Sequence, residues 1–255
     1  MKTKKFLLSI LLIIITGCIG NVALAQRISI LGDSYSTFKG YVEPDTNAVW
    51  YPEEQNKNDV KRMEQTWWYQ FTHNYGYQLE VNNSFSGSTI CNTGDRKADY
   101  SDRSFITRMD KLGDPDIIFI FGATNDCWAR SPIGDYIYSD WKTEDLYSFR
   151  PAMAYLLENL KKLYPQAKLY FILNNELTET INSSVHTICQ HYQVDCINLY
   201  NIDKQRNHPS VAGMSAISLQ LKHYLDQKEK EELKGELKAI RKELSEIKKE
   251  LKNRK

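Results

Sequence analysis

Ser34 stands in ILGDSYS (residues 30–36), where an apolar, strand-like run stops at a Gly-Asp pair. A serine hydroxyl is a weak nucleophile until a base takes its proton, and His208, an imidazole with an ordinary pKa near about 6.5, suits that task. Between them lie Ser86-Gly87-Ser88 and Ala123-Thr124-Asn125-Asp126. The oxyanion of an acyl-transfer intermediate needs donors already in place, and the backbone N–H groups of Ser34 and Gly87 with the Asn125 amide are of that kind. Gly87 fits because backbone without a Cβ can approach a substrate closely. Taken singly, Ser34 reads as a helix cap and Asn125 as a turn residue. Asp33 and Asp126 read as acceptors that organise their loops.

These groups need a scaffold that brings distant loops together. Five β-branched or aromatic runs, at 27–31, 77–83, 116–122, 168–173 and 195–199, alternate with helical patterns, the signature of a parallel sheet with crossover helices. The runs at 116 and 168 are apolar almost throughout, as expected of strands covered on both faces. The sequence therefore predicts a three-layer α/β/α sandwich around a central, mostly parallel five-stranded sheet. Loops at the carboxyl ends of such strands share one rim, where ligands bind. A hydroxyl, a small donor turn, an amide and an imidazole all fall on that rim. Residues 143–165 read as a helix that Pro151 either kinks or begins, and residues 40–65 as a long excursion without a clean period.

In their order and spacing the four blocks resemble those of the SGNH hydrolases, also called GDSL esterases and lipases, over roughly residues 27–226. GDSYS matches the nucleophile block, Gly87 the second, Asn125 with Asp126 the third, and His208-Pro209 the histidine block. The resemblance implies a flavodoxin-like α/β/α hydrolase with Ser34 as nucleophile, His208 as base, and Ser34, Gly87 and Asn125 as oxyanion donors. Two positions depart from the pattern. Ala123 stands where a Gly usually precedes the Asn by two residues. Gln205 stands where the triad Asp usually precedes the His by three. Asp203 or a backbone carbonyl is then left to orient His208, and a protease triad without its Asp turns over far more slowly.

The ends differ from this domain. Residues 1–25 combine Lys2, Lys4 and Lys5 with a short apolar run and read as an export signal. Cleavage after Ala25 releases the domain into the periplasm or medium, whereas a lipoprotein box ending at Cys18 would tether it. After the domain of residues 26–226, the tail of residues 227–255 carries Leu233, Leu237, Ile240, Leu244, Ile247 and Leu251 at spacings of 4, 3, 4, 3 and 4, a coiled-coil seam. With Leu237 at a, Glu236, Glu243 and Glu250 occupy g, and Lys234, Arg241 and Lys248 occupy e. Such charges favour a parallel homo-oligomer through residues 233–251; a single solvated helix is the other reading. Export also permits disulfides, with Cys189–Cys196 and Cys91–Cys127 the pairs to expect.

A net charge of +1 gives no field that recruits nucleic acid. His186 and His191 do not share a helix face, and no metal or phosphate-loop motif occurs, so neither metal nor cofactor is expected. Trp50, Tyr51, Trp67, Trp68, Tyr69 and Trp128 cluster around the excursion and the Asn125 block. Aromatic faces at a polar rim suit sugar rings, so a short-acyl ester on carbohydrate is the expected substrate. A lysophospholipid, thioester or aryl ester served by the same groups is the alternative. A noncatalytic carbohydrate-binding or assembly protein is the alternative from another class. Activity should fall on acidification as His208 is protonated.

Overall fold

The computed structural model describes residues 25–253. Five parallel strands, β1 (Arg27–Gly32), β2 (Gln78–Ser84), β3 (Ile117–Gly122), β4 (Lys168–Leu173) and β5 (Asp195–Asn198), form one sheet in the order β2-β1-β3-β4-β5. Each lies within two residues of the run that predicts it. β3 is buried along its whole length, so its two sets of alternate side chains enter two different cores. Ile118 and Ile120 pack with α2 (Phe105–Arg108), α4 (Phe149–Leu163) and α5 (Glu179–Tyr192). Phe119 and Phe121 pack with α1 (Trp67–Tyr75) and with α6 (Val211–Asn253). A further short helix, α3 (Thr124–Ala129), follows β3 at the carboxyl rim.

The predicted helix over 143–165 divides in two. Thr143–Tyr147 forms a separate 3-10 turn, and extended backbone at Ser148 (φ −119°, ψ 145°) precedes α4. Pro151 is the third residue of α4, inside the first turn, where a missing N–H breaks no helical bond. It belongs to the start and does not kink the helix.

α6 has 43 residues and runs without interruption from the domain into the tail, about 65 Å at 1.5 Å per residue. Its first turns bury Met214, Ile217, Leu221 and Leu225 against the sheet. Beyond them Leu233, Leu237, Ile240, Leu244 and Ile247 are each about half exposed. Of the leader read from residues 1–25, residues 1–24, with Cys18, lie outside the described residues. Among those residues no helix is long and apolar enough to cross a membrane.

Candidate active site

Ser34 leaves β1 in a single 3-10 turn, Ser34–Ser36, capped by Asp33, whose Oδ1 accepts from the Tyr35 N–H at 3.0 Å. Space alone excludes a side chain at Gly32: a Cβ there would come within 2.5 Å of Ser84 Oγ and 2.9 Å of Ser36 Cβ. Ser34 itself is buried, and its Oγ lies 2.9 Å from His208 Nε2.

His208 sits on a two-stranded antiparallel hairpin, β6 (Lys204–Gln205) and β7 (His208–Pro209). Arg206 (φ +53°) and Asn207 (φ +62°) make its two-residue turn, both in the positive region that the tight hairpin turn requires. The Arg206 carbonyl of that turn lies 3.0 Å from His208 Nδ1. With the Nδ1 proton donated there, Nε2 is left as the acceptor that faces Ser34. The expectation that Asp203 orients His208 is therefore corrected. The Asp203 carboxylate accepts from the Ser210 hydroxyl, and Ser210 Oγ in turn accepts from Gly213 N–H at 3.1 Å at the start of α6. Gln205 pairs with His208 across the hairpin but aims its side chain at the excursion, accepting from Asp59 N–H at 2.9 Å.

The excursion clamps this hairpin. Asn58 Nδ2 donates to the Gln205 and Pro209 carbonyls at 3.3 and 3.2 Å, and the Tyr51 hydroxyl donates to the Pro209 carbonyl at 2.8 Å. Trp50 lies flat on the imidazole, ring centroids 3.5 Å apart and planes within 5°. Burial lowers the His208 pKa to about 4, against the Arg206 carbonyl, which raises it, while Lys204 lowers it further. The imidazole is neutral at ordinary pH.

The donor blocks follow β2 and β3. Neither the Ser34 N–H nor the Gly87 N–H has an acceptor among the described residues. Gly87 has φ +83°, with open space where a Cβ would lie. Its conformation, more than a close approach, is what requires glycine there. Asn125 Nδ2 donates to the Ser88 carbonyl at 3.0 Å, which fixes the amide and leaves its second N–H to give. Asp126 ties the two donor loops together, accepting from Ile90 and Cys91 N–H at 2.8 and 3.2 Å, and burial lifts its pKa to about 6. Burial lifts Asp33 to about 7. Both are loop-organising acceptors, as the sequence suggests.

Neither expected disulfide is formed; all four described cysteines are free. Cys91 Sγ donates to the Thr93 carbonyl at 3.6 Å, and Cys127 Sγ turns to Thr178 Oγ1 at 3.9 Å, so the carboxylate of Asp126 does the tying expected of a bridge. Cys189 and Cys196 are neighbours, and their contact, with burial, raises the Cys189 pKa. Among the described residues no group of three or more His, Cys, Asp or Glu could hold a metal ion.

Sequence reasoning passes over Arg108. This buried guanidinium donates to the Gly32 carbonyl at 3.1 Å, Ser88 Oγ at 2.9 Å, Asn83 Oδ1 at 3.0 Å and the Asn83 carbonyl, bracing the nucleophile turn against the second block. Burial lowers its pKa to about 9, and the charge of Asp33 raises it. Nothing in the local pattern marks it, since a cation ending a short helix is ordinary. Of the aromatic set, Tyr51, Trp67 and Trp68 are core, whereas Trp128 stays 46% exposed, its ring 5.9 Å from His208. A hydroxyl bonded to an imidazole anchored at its far nitrogen, with unpaired N–H groups in the turns after β1 and β2, is equipped for nucleophilic acyl transfer.

Known proteins agree with that chemistry. Comparison with curated proteins finds no match. A GDSL-like lipase from Bacteroides ovatus ATCC 8483 is 61% identical, with 80% of this chain and 99% of that chain covered and a TM-score of 0.78. One from Bacteroides uniformis ATCC 8492 is 56% identical, covering 80% and 96%, also with a TM-score of 0.78. A family two carbohydrate esterase from Clostridium thermocellum, solved in complex with cellohexaose, is 15% identical and covers 80% and 65% at a TM-score of 0.56, a likeness of fold. The family model for GDSL-like lipase/acylhydrolase matches residues 26–225, so the chain belongs to that family and is a hydrolase of ester bonds.

Proposed function

We propose that the protein is an exported serine esterase that removes short acyl groups, acetyl above all, from carbohydrate. The contact of His208 Nε2 with Ser34 Oγ at 2.9 Å carries this reading. Ser34 Oγ attacks the ester carbon as its proton passes to His208 Nε2, and the carbonyl π pair moves onto the oxygen, facing the Ser34, Gly87 and Asn125 N–H groups. Collapse breaks the bond to the alcohol, which leaves with the proton from His208. Water then attacks the acyl-enzyme, giving its proton to His208; that proton returns to Ser34 as the acid departs.

A polar rim with Trp128 at its lip supports a sugar ester over a fatty one, because a lipase needs a continuous apolar lip. A fluorophosphonate probe should label the wild type and fail to label Ser34→Ala. Acetylated glycans should then be turned over faster than long-chain acyl esters. Equal labelling of both proteins would refute the serine mechanism, and a preference for long chains would refute the substrate class.

A further inference from the structure

Beside His208 lies a cleft of about 130 Å³ whose lining includes Tyr35, Trp128, Asn174, Asn175, Glu176 and Lys204. We propose that this cleft is the alcohol subsite and that it takes one ring of a saccharide through its hydroxyl groups. The inference rests on the esterase reading above, and adds to it the place and the chemistry of the leaving group.

Sheet order supplies the first step. The oxyanion donors follow β1, β2 and β3, whereas Asn174 and Asn175 follow β4, and Lys204 lies on the His208 hairpin beyond β5. The order β2-β1-β3-β4-β5 thus puts the Gly87 block at one edge of the rim and the residues after β4 toward the other, and the cleft is walled by Tyr35 after β1, Trp128 after β3 and Asn174 and Asn175 after β4. A leaving alcohol must come within hydrogen-bond reach of Nε2 to receive its proton. The cleft borders that imidazole, the Trp128 ring of its lining lying 5.9 Å from it. Tyr35 joins the two places, with its ring 5.2 Å from His208 and 6.4 Å from Trp128.

The lining then selects the alcohol. Asn174 is only 4% exposed; its Nδ2 donates to Thr124 Oγ1 at 3.3 Å, while its Oδ1 has no partner. Asn175 Oδ1 is likewise buried and unpartnered. Buried acceptors are costly to leave unmade, and sugar hydroxyls are donors of the right size. Glu176 adds a carboxylate, held by Lys204 at 2.9 Å, which itself supplies a donor. Glu176 also has φ +70°, a strained conformation for a residue with a side chain, of the kind that gathers at ligand sites. The exposed Trp128 ring offers an apolar face to the C–H side of a sugar. At this volume the cleft is smaller than a pocket for a long ligand, and an acyl chain placed there would satisfy none of the three acceptors.

The test uses the full chain with Trp128→Ala and Asn175→Ala, against a panel of O-acetylated pentosides and hexosides and against 4-nitrophenyl acetate, which shares the acyl group and lacks the hydroxyls. Each variant should lose at least ten-fold more kcat/KM on the sugar acetates than on the aryl acetate, chiefly through KM. In parallel, titration calorimetry should find that Ser34→Ala binds the deacetylated sugars and that Ser34→Ala with Trp128→Ala binds them at least ten-fold more weakly. Ser34-dependent turnover with equal losses on both substrate types would overturn the subsite and leave the esterase standing. Trp128-dependent sugar binding in a protein without Ser34-dependent turnover would keep the subsite and overturn the esterase.

Discussion

His208 is oriented by three things that no single acid supplies. The Arg206 carbonyl takes its Nδ1 proton at 3.0 Å, the Trp50 ring fixes its plane at 3.5 Å, and Ser34 meets its Nε2 at 2.9 Å. Replacing the Asp of a complete protease triad by Asn costs about 10⁴ in kcat. Here Asp203→Asn should cost less than about ten-fold, measured as kcat on an acetyl ester, because that carboxylate serves Ser210. The pH dependence also follows from burial. In the proposed mechanism His208 works as the neutral imidazole, so kcat/KM should stay level from pH 8 to about 5 and fall to half near 4. Because the folded pKa lies below the unfolded value of about 6.5, the unfolded chain binds the proton first, and stability is lost as pH falls through that interval. Trp50→Leu, which opens the ring to water, should move the acid limb upward toward 6.5 and lower kcat, whereas Trp50→Phe should keep both nearer the wild type. An acid limb unmoved in Trp50→Leu would mean that the stack does not control the base.

At the start of α3 the backbone explains a departure that the sequence leaves unaccounted for. Ala123 precedes the helix at φ +73°, a left-handed conformation in which a Cβ is strained. That is why glycine is usual there. Ala123→Gly should stabilise the protein by up to about 1 kcal/mol in chemical denaturation, with the Asn125 amide undisturbed. Elements of this kind divide by how local their cause is. The strands are legible because a buried parallel strand is an uninterrupted apolar run, and Ser34, Gly87, Asn125 and His208 are legible because each follows an element at the carboxyl rim. The excursion of residues 40–65 is not, since its order comes from Asn58, Tyr51 and Trp50 bonding or stacking on a hairpin about 150 residues away. Arg108 is hidden for the same reason: its acceptors come from β1, β2 and the second block.

Across the whole molecule, α6 links two opposite ends. It starts beside His208 at the carboxyl rim and reaches the amino ends of β4 and β5, where Lys168 meets Glu232 at 3.2 Å and Lys228 meets Asp195 at 2.8 Å. Past these ion pairs the helix projects away from the active-site rim with its apolar seam half exposed. A parallel homo-oligomer would cover that seam and pair Glu236 with Arg241 and Glu243 with Lys248 of a second copy, whereas an antiparallel one would set like charges against each other. Leu at a with Ile at d favours more than two strands. Deleting residues 228–255 should lower the mass in light scattering from a multiple of the chain mass to that of a single chain and leave kcat/KM within about two-fold. A chain with Glu236→Lys and Glu243→Lys, and another with Arg241→Glu and Lys248→Glu, should each remain monomeric alone and associate when mixed, because each then supplies the charges the other lacks. A wild-type mass equal to that of one full chain would remove the assembly, leaving α6 a solvated helix held by its own i,i+4 pairs. In such a parallel assembly every active-site rim would face the end opposite the stalk, an arrangement that would let several heads work on one extended substrate at once.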